Sequence, residues 1–313
     1  MKYKIFVDGS EGTTGLKINE RLAFRDDLEI LKIDSDKRKD ADERKKYINN
    51  ADIVFLCLPD PAAKEAVSLI ENPSTKVIDA STAHRTDINW AYGLPELSAA
   101  HRNKIKSSYR VAVPGCYATG FISIMYPLVA AGLVPKDYPV TIHAISGYSG
   151  GGKKRIEEYE SPEGNPYESP QLYGLGLTHK HIPEMTKISG LDSEPIFSPI
   201  ISSFYNGMSV CIPLHRRLLP ANLSKEAIHQ YLAKHYSNEK FIKVMPLGCE
   251  SSYTNSFLGA TRVNDTNYLE IYVAGNDEQI MLISVLDNLG KGSSGAAIQN
   301  MNIMLGLNED LGL

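Results

Sequence analysis

The chain has 313 residues, 42% of them hydrophobic and 22% charged, with a formal net charge of -4 at pH 7 and a pI near 6.1. That length holds two packed units with full cores, and mild acidity without a basic stripe excludes a general nucleic-acid binder, whose affinity comes from neutralising phosphates. Met1 leads straight into a strand-like run, no apolar run approaches the roughly 18 residues of a membrane span, and Cys57, Cys116, Cys211 and Cys249 form no C-x-x-C pair, so the expectation is a cytoplasmic protein without membrane contact, disulfides or a metal site.

Residues 4–8 form a β-rich run that gives way to Gly9-Ser10-Glu11-Gly12-Thr13-Thr14-Gly15, followed by an amphipathic stretch with Leu16, Ile18, Leu22 and Ala23. Strand, glycine loop and helix open a dinucleotide-binding βαβ unit, in which glycines permit the tight turn and a pyrophosphate approaches the helix N-terminus. The spacing is G-x-x-G-x-x-G, so its place directly after the first strand carries the reading. Gly9, Gly12, Thr13, Thr14 and Gly15 are the expected cofactor contacts. A strand over 28–34 ends about 20 residues past the glycines, where this fold keeps an acid for the ribose of NAD or cations for the 2′-phosphate of NADP. Asp34 serves the first; Ser35, Lys37, Arg38 and Lys39 serve the second and favour NADP(H).

A charged helix over 40–49 precedes a continuous apolar strand over 51–58, as expected of a parallel strand buried on both faces, with Cys57 inert inside it. A helix over 62–71 and a strand over 76–80 lead to Ser81-Thr82-Ala83-His84-Arg85, hydroxyls and cations at a strand end where open α/β sheets bind ligands; Ser81 is the cofactor candidate there. After a loop over 88–97 and a short polar helix, the strand at 109–113 ends in Val113-Pro114-Gly115-Cys116-Tyr117-Ala118-Thr119-Gly120. Pro114 stops the strand, Gly115 turns the backbone, and Cys116 stands at the start of a helix over 117–131. A thiol there meets the positive end of the macrodipole and free N–H groups, which stabilise the thiolate. A cysteine buried inertly in the turn is the alternative at this point.

Beyond that helix a strand over 139–145 runs into Ser146-Gly147-Tyr148-Ser149-Gly150-Gly151-Gly152-Lys153-Lys154-Arg155, a cationic glycine loop suited to a phosphate or carboxylate. Residues 160–176 read as irregular. Thr178-His179-Lys180-His181-Ile182-Pro183-Glu184 follows, then β-rich runs over 195–204, 207–214, 241–246, 257–263, 267–273 and 279–286, whose short connections indicate a mixed or antiparallel sheet. A helix over 222–236, with Ser224 as N-cap, interrupts them. Asp287-Asn288-Leu289-Gly290-Lys291-Gly292-Ser293-Ser294-Gly295 opens a helix over 296–305, a second glycine-hydroxyl loop at a helix start. His179 and His181 share a face, with Glu184 close enough to orient an imidazole, and no further metal ligands stand at a useful spacing. Thiol, histidine and hydride donor together have a coherent use. The thiolate takes an acyl group as a thioester, hydride passes between it and a nicotinamide, and the histidine protonates the oxygen of the nascent aldehyde.

Four segments, 113–120, 147–153, 179–184 and 287–292, resemble N-acetyl-γ-glutamyl-phosphate reductase in its shorter bacterial form, in the family's order and over essentially the whole chain. The resemblance implies NADPH-dependent reduction of N-acetyl-γ-glutamyl phosphate to the 5-semialdehyde with release of phosphate, in arginine biosynthesis; aspartyl or aminoadipyl phosphate is the alternative substrate. It implies an α/β architecture shared with aspartate-semialdehyde dehydrogenase. A Rossmann domain spans 1–115, an inserted α+β domain with a mixed or antiparallel sheet spans 116–290, and a C-terminal helix, 291–313, returns to the first; homodimers or tetramers are common. By resemblance Cys116 is the nucleophile and His181, held by Glu184, the acid-base, with His179 as the alternate. Ser149, Gly150, Lys153 and Lys154 take the substrate, and Gly292, Ser293 and Gly295 contact the cofactor diphosphate. The family usually has Asn where this chain has Val113, so the oxyanion donor expected here is the Cys116 backbone N–H.

Overall fold

Strand β1 (Tyr3–Asp8) pairs in parallel with β2 (Leu28–Leu31) on one side, Ile5 opposite Ile30, and with β3 (Ile53–Leu56) on the other, Ile5 opposite Ile53. With β4 (Lys76–Asp79), β5 (Ala91–Tyr92) and β6 (Arg110–Ala112) they form a sheet in the order β2-β1-β3-β4-β6-β5, every pair parallel. The structure, a computed structural model, describes residues 2–167, 169–221, 223–249 and 257–313. Met1, Glu168 in the irregular stretch, and Asn222, which starts the helix expected over 222–236, lie outside the described residues.

The sheet is buried on both faces, which is why β3 is apolar throughout rather than alternating. Ile5, Val7, Ile53 and Phe55 pack on one side with Ile18 and Leu22 of α1 (Thr13–Leu22) and with Ala297, Met301 and Met304 of α9 (Gly295–Leu305). Phe6, Val54 and Leu56 point the other way, onto Ile48 of α2 (Ala41–Asn50) and Ala63 and Ala66 of α3 (Asp60–Ser68), as the period of two requires. A short helix, α4 (Ala99–Ser107), precedes β6. Strand β2 stops at Leu31, short of the expected Asp34: among the described residues it pairs with β1 alone, at the sheet edge, and the chain turns at 35–39, with the Lys37 N–H donating to the Asp34 carbonyl at 3.0 Å. The chain end is fastened by Arg25, whose guanidinium donates to Asn302 Oδ1 at 3.1 Å and to the Leu311 carbonyl at 2.8 Å.

Two compact units are distinguished, Met1–Gly115 with Ser293–Leu313, and Cys116–Gly292. In the second, β7 (Thr141–Gly147), β8 (Gln171–Leu172), β9 (Ile196–Ser202), β10 (Met208–His215), β11 (Ile242–Val244), β12 (Leu269–Gly275) and β13 (Gln279–Leu286) form a mixed sheet in the order β11-β12-β13-β10-β7-β9-β8. Along β10, Met208, Val210, Ile212 and Leu214 are buried, and Ser209, Cys211, Pro213 and His215 face the other way. Helices α5 (Cys116–Ala130), α7 (Ile182–Ser189) and α8 (Lys225–His235) pack together, while α6 (Lys153–Tyr159) follows the cationic glycine loop. Helix α5 lies close on the sheet: a Cβ on Gly120 would fall 2.5 Å from Ser284 Oγ and 2.9 Å from Val210 Cγ2.

Helix α5 also carries Pro127 in its interior. Proline cannot donate to the carbonyl four residues back. That carbonyl, Ser123, accepts instead from the Tyr236 hydroxyl at 2.5 Å. Ser224 caps α8, accepting from the Ala227 N–H at 3.2 Å. Two further expectations change. Residues 257–263 form no strand; Val263 instead packs with Tyr272 and Val285, so its apolar side chain covers the sheet rather than extending it. Gly290–Ser294 is a π-helical turn running into α9, not an open loop, and Lys291 within it is fully buried. Among the described residues no helix is long and apolar enough to cross a membrane, and no group of three or more His, Cys, Asp or Glu side chains is gathered to hold a metal.

Candidate active site

Cys116 is the first residue of α5, where the backbone N–H groups of the opening turn have no partner within the helix. Three residues earlier, Val113 is 1% exposed in the core of the first unit, so its side chain packs against apolar neighbours. Gly292 lies against the thiol-bearing residue itself: a Cβ built there falls 2.8 Å from Cys116 Cβ. The Gly292 N–H donates to the Asp287 carbonyl at 2.9 Å. The Asp287 carboxylate accepts in turn from Asn206 Nδ2 at 2.9 Å and from the N–H groups of Asp265 and Leu289, both at 2.8 Å. Asn288 accepts from the Gly207 N–H at 2.8 Å and donates to Ser149 Oγ at 3.0 Å. The segment 287–292 is therefore a brace joining the cysteine, the Ser149-Gly150 loop and the loop before β10.

Tyr117, beside the cysteine, was not among the residues expected to matter, yet it gathers the histidines. Its ring centroid lies 5.7 Å from that of His179, 5.9 Å from His181 and 5.1 Å from Phe197 on β9. The two imidazoles stand edge to face at 4.7 Å. His179 Nδ1 accepts from the His181 backbone N–H at 3.1 Å, which places the proton of the neutral ring on Nε2, 3.4 Å from the Tyr173 hydroxyl. Tyr173 donates to the Tyr117 hydroxyl at 3.2 Å. Burial pushes both phenols up, and the nearby Cys116 charge adds to it, so both stay neutral at ordinary pH. His181 immediately precedes α7 and is 5% exposed; Glu184, in the first turn, is 2% exposed and one helical turn from it. No spacing rule links Tyr173 or Phe197 to the cysteine, so neither was visible in the sequence.

In the first unit, Gly9 has φ +86°, and a Cβ there would fall 2.3 Å from the Cys57 carbonyl; one on Gly15 would fall 2.4 Å from the Gly9 carbonyl. Those two glycines are required by the loop's own packing. Gly12 is not, its nearest neighbour lying at 3.6 Å. It is the N-cap of α1, with no side-chain cap and no acidic residue in the first turn, so the N–H groups from Thr13 onward suit an anion such as a diphosphate. Thr14 and Ser293 share a hydrogen bond of 3.1 Å between hydroxyls, and Ser294 Oγ accepts from Arg21 Nε at 3.3 Å. Gly295 is buried at the start of α9. Ser35, Lys37 and Arg38 sit in the exposed turn after β2, where Arg38 pairs with Glu11 of the glycine loop. Ser81 turns inward, its hydroxyl donating to Asp79 at 2.8 Å and accepting from the Ala83 N–H at 3.1 Å. Lys153 and Lys154 are exposed on α6, Lys153 lying 4.0 Å from Glu157 on the same helix.

Residues 4–107 match the family described as "Semialdehyde dehydrogenase, NAD binding domain", and residues 116–288 match "Semialdehyde dehydrogenase, dimerisation domain". The first unit is thus a nicotinamide-dinucleotide-binding domain. The chain is 50% identical to N-acetyl-gamma-glutamyl-phosphate reductase 2 of Nostoc sp., over 100% of this chain and 99% of that protein. It is 48% identical to N-acetyl-gamma-glutamyl-phosphate reductase 2 of Pseudomonas putida, over 96% of each. Among solved structures, aspartate semialdehyde dehydrogenase II of Vibrio cholerae, complexed with ASA, superposes with a TM-score of 0.72 at 14% identity, covering 98% of this chain and 99% of that one. The Candida albicans aspartate semialdehyde dehydrogenase with NADP gives 0.69 at 15% identity, covering 97% and 99%. At that identity the likeness is one of fold.

Proposed function

The chain belongs to the N-acetyl-γ-glutamyl-phosphate reductase family, and from that premise we propose that it reduces N-acetyl-γ-glutamyl phosphate to N-acetylglutamate 5-semialdehyde with NADPH, releasing phosphate, as a step of arginine biosynthesis. The observation that carries the substrate is the identity of about half the residues along the whole chain to reductases of that name. The Cys116–Tyr117–histidine arrangement supports the chemistry.

Cys116 attacks the acyl carbon, the C–O bond to phosphate breaks, and the acyl group is held as a thioester. Bound nicotinamide supplies the hydride that reduces the thioester carbon. His181 is the acid-base: it accepts the thiol proton, gives it to the oxygen of the tetrahedral adduct, and takes it back as the C–S bond breaks. His179 is less suited, because its Nδ1 lone pair is already committed to a backbone N–H. Glu184 sits one turn from His181 to orient it, and the Cys116 N–H faces the developing oxyanion. Gly292 positions the thiol, while Ser149 and Gly150, braced by Asn288, line the substrate loop with Lys153 and Lys154 at its helical end.

The α1 N-terminus holds the diphosphate, with Thr13, Thr14 and Ser293 beside it. Ser35, Lys37 and Arg38 take the 2′-phosphate, in keeping with the NADP complex of the Candida albicans relative in fold. The outward residues Cys211, Pro213 and Met281 of β10 and β13 offer an apolar sheet face for a second copy, consistent with a matched domain described as one of dimerisation. We place the enzyme in the cytoplasm, where the reducing thiol pool keeps a cysteine such as Cys116 free of disulfides. The test is turnover of N-acetyl-γ-glutamyl, aspartyl and aminoadipyl phosphates with NADPH, with trapping of the acyl group on Cys116. Turnover of either other acyl phosphate in preference to the first, or full activity of Cys116→Ser, overturns the proposal.

A further inference from the structure

The ion pair between Arg38 and Glu11 ties the exposed turn after β2 to the glycine loop. Its two side chains are 43% and 59% exposed, and Glu11 immediately precedes Gly12, the uncapped start of α1. Glu11 is the one carboxylate of the 9–15 loop, and it lies where a helix N-terminus attracts an anion. Among the described residues Lys37 and Lys39 of the same turn make no ion pair, so of the turn's cations Arg38 is the one already engaged by a carboxylate.

We propose that Glu11 is a selectivity-determining residue that competes with the 2′-phosphate of a nicotinamide dinucleotide for Arg38. The inference rests on the cofactor reading above. A guanidinium binds a phosphate through two parallel N–H···O contacts, and a phosphate monoester carries close to two negative charges at neutral pH. To engage Arg38, an incoming 2′-phosphate must displace the Glu11 carboxylate and then tolerate it nearby. A dinucleotide without that phosphate leaves the pair intact. Glu11 therefore opposes only the phosphorylated ligand, moderating a preference that Lys37 and Arg38 create. Because both side chains are exposed, the effect is small and screened by salt. The opposite role, Glu11 accepting from the ribose 2′-hydroxyl of NADH, predicts the opposite result for the unphosphorylated ligand.

The experiment measures dissociation constants of the full-length protein for NADPH and NADH, and for 2′,5′-ADP and 5′-AMP. It compares wild type, Glu11→Gln, Arg38→Ala and the double variant. In Glu11→Gln the affinity ratio shifts toward the 2′-phosphorylated ligand by about two- to fivefold, the shift narrows at high salt, and it disappears when Arg38→Ala is also present. An unchanged ratio, a shift that persists without Arg38, or a selective loss of NADH and 5′-AMP binding overturns the inference while leaving NADPH binding in place. Failure of the wild type to bind NADPH refutes the cofactor reading itself. Since no acyl phosphate is present, the outcome is independent of the substrate assignment.

Discussion

Replacing Gly292 by alanine places a methyl carbon 2.8 Å from Cβ and 3.3 Å from Cα of Cys116. Carbon atoms in contact rest at roughly 3.5–4.0 Å, so the two must part by about 0.7–1.2 Å. Residue 292 does not yield easily, because its N–H is bonded to the Asp287 carbonyl and Asp287 is itself held by three donors. The movement falls on the thiol. A misplacement near 1 Å costs about 10²-fold in rate, so kcat for acyl-phosphate reduction falls by about 10²-fold. Overpacking of this kind destabilises by about 1–3 kcal/mol, which a shift in Tm reads separately from the rate. Gly259→Ala is the control, since a Cβ there meets nothing within 4 Å. A Gly292→Ala enzyme with near-wild-type kcat would refute the reasoning: either the contact does not set the thiol's position, or Cys116 is not the reacting group.

Three further outcomes are expected from contacts elsewhere in the molecule. Tyr236→Phe leaves the Ser123 carbonyl, opposite Pro127, without its donor and should destabilise the second unit by about 1–3 kcal/mol in chemical denaturation; an unchanged midpoint would show that water replaces the phenol. The Arg25 hydrogen bond holds the Asp27 carboxyl below its ordinary 3.8, so the pair adds stability above that pH and loses it as pH falls through the lowered value. Asp27 is 36% exposed, so Asp27→Asn should cost under about 1 kcal/mol at pH 7 and nothing once the carboxyl is protonated; a difference that grows in acid has the wrong sign. Burial raises the thiols of Cys57 and Cys211, for Cys57 with the Asp79 and Asp8 charges adding to it, so iodoacetamide at neutral pH should modify Cys116 before either, by peptide mapping. Modification of Cys57 or Cys211 first would contradict that order.

Local rules reached far into this chain, and their failures have physical causes. Alternation and apolar runs located β1, β3 and β10; the order of strand, glycine loop and helix located the dinucleotide end; Ser224 announced α8. Cys116 was legible because Pro114 and Gly115 dictate a strand-to-helix turn there. The segment at 287–295 misled because glycine, serine and lysine describe a polar loop, whereas Lys291 is fully buried, its Nζ 5.6 Å from the Phe241 ring, and Gly292 is glycine to make room for Cys116. Val263 looks like part of a strand because an apolar residue that covers a sheet has the composition of one that extends it.

The histidines show why a spacing argument alone stops short of a site. His179 and His181 lie some sixty residues past the thiol, beyond the irregular stretch at 160–176, and nothing local fixes their distance from it. Tyr117 is the residue that joins them. Because α5 begins at Cys116, consecutive residues at the helix start project about 100° apart, so one turn presents the thiol and buries the neighbouring ring. Both imidazoles and Phe197 pack on that ring, and Tyr173 bonds its hydroxyl. Both imidazoles are thereby referenced to the same helical turn that carries Cys116. The register between Cys116 and the two histidines then runs through the buried Tyr117 ring, next to Cys116 in sequence, together with the packing of α5 on α7.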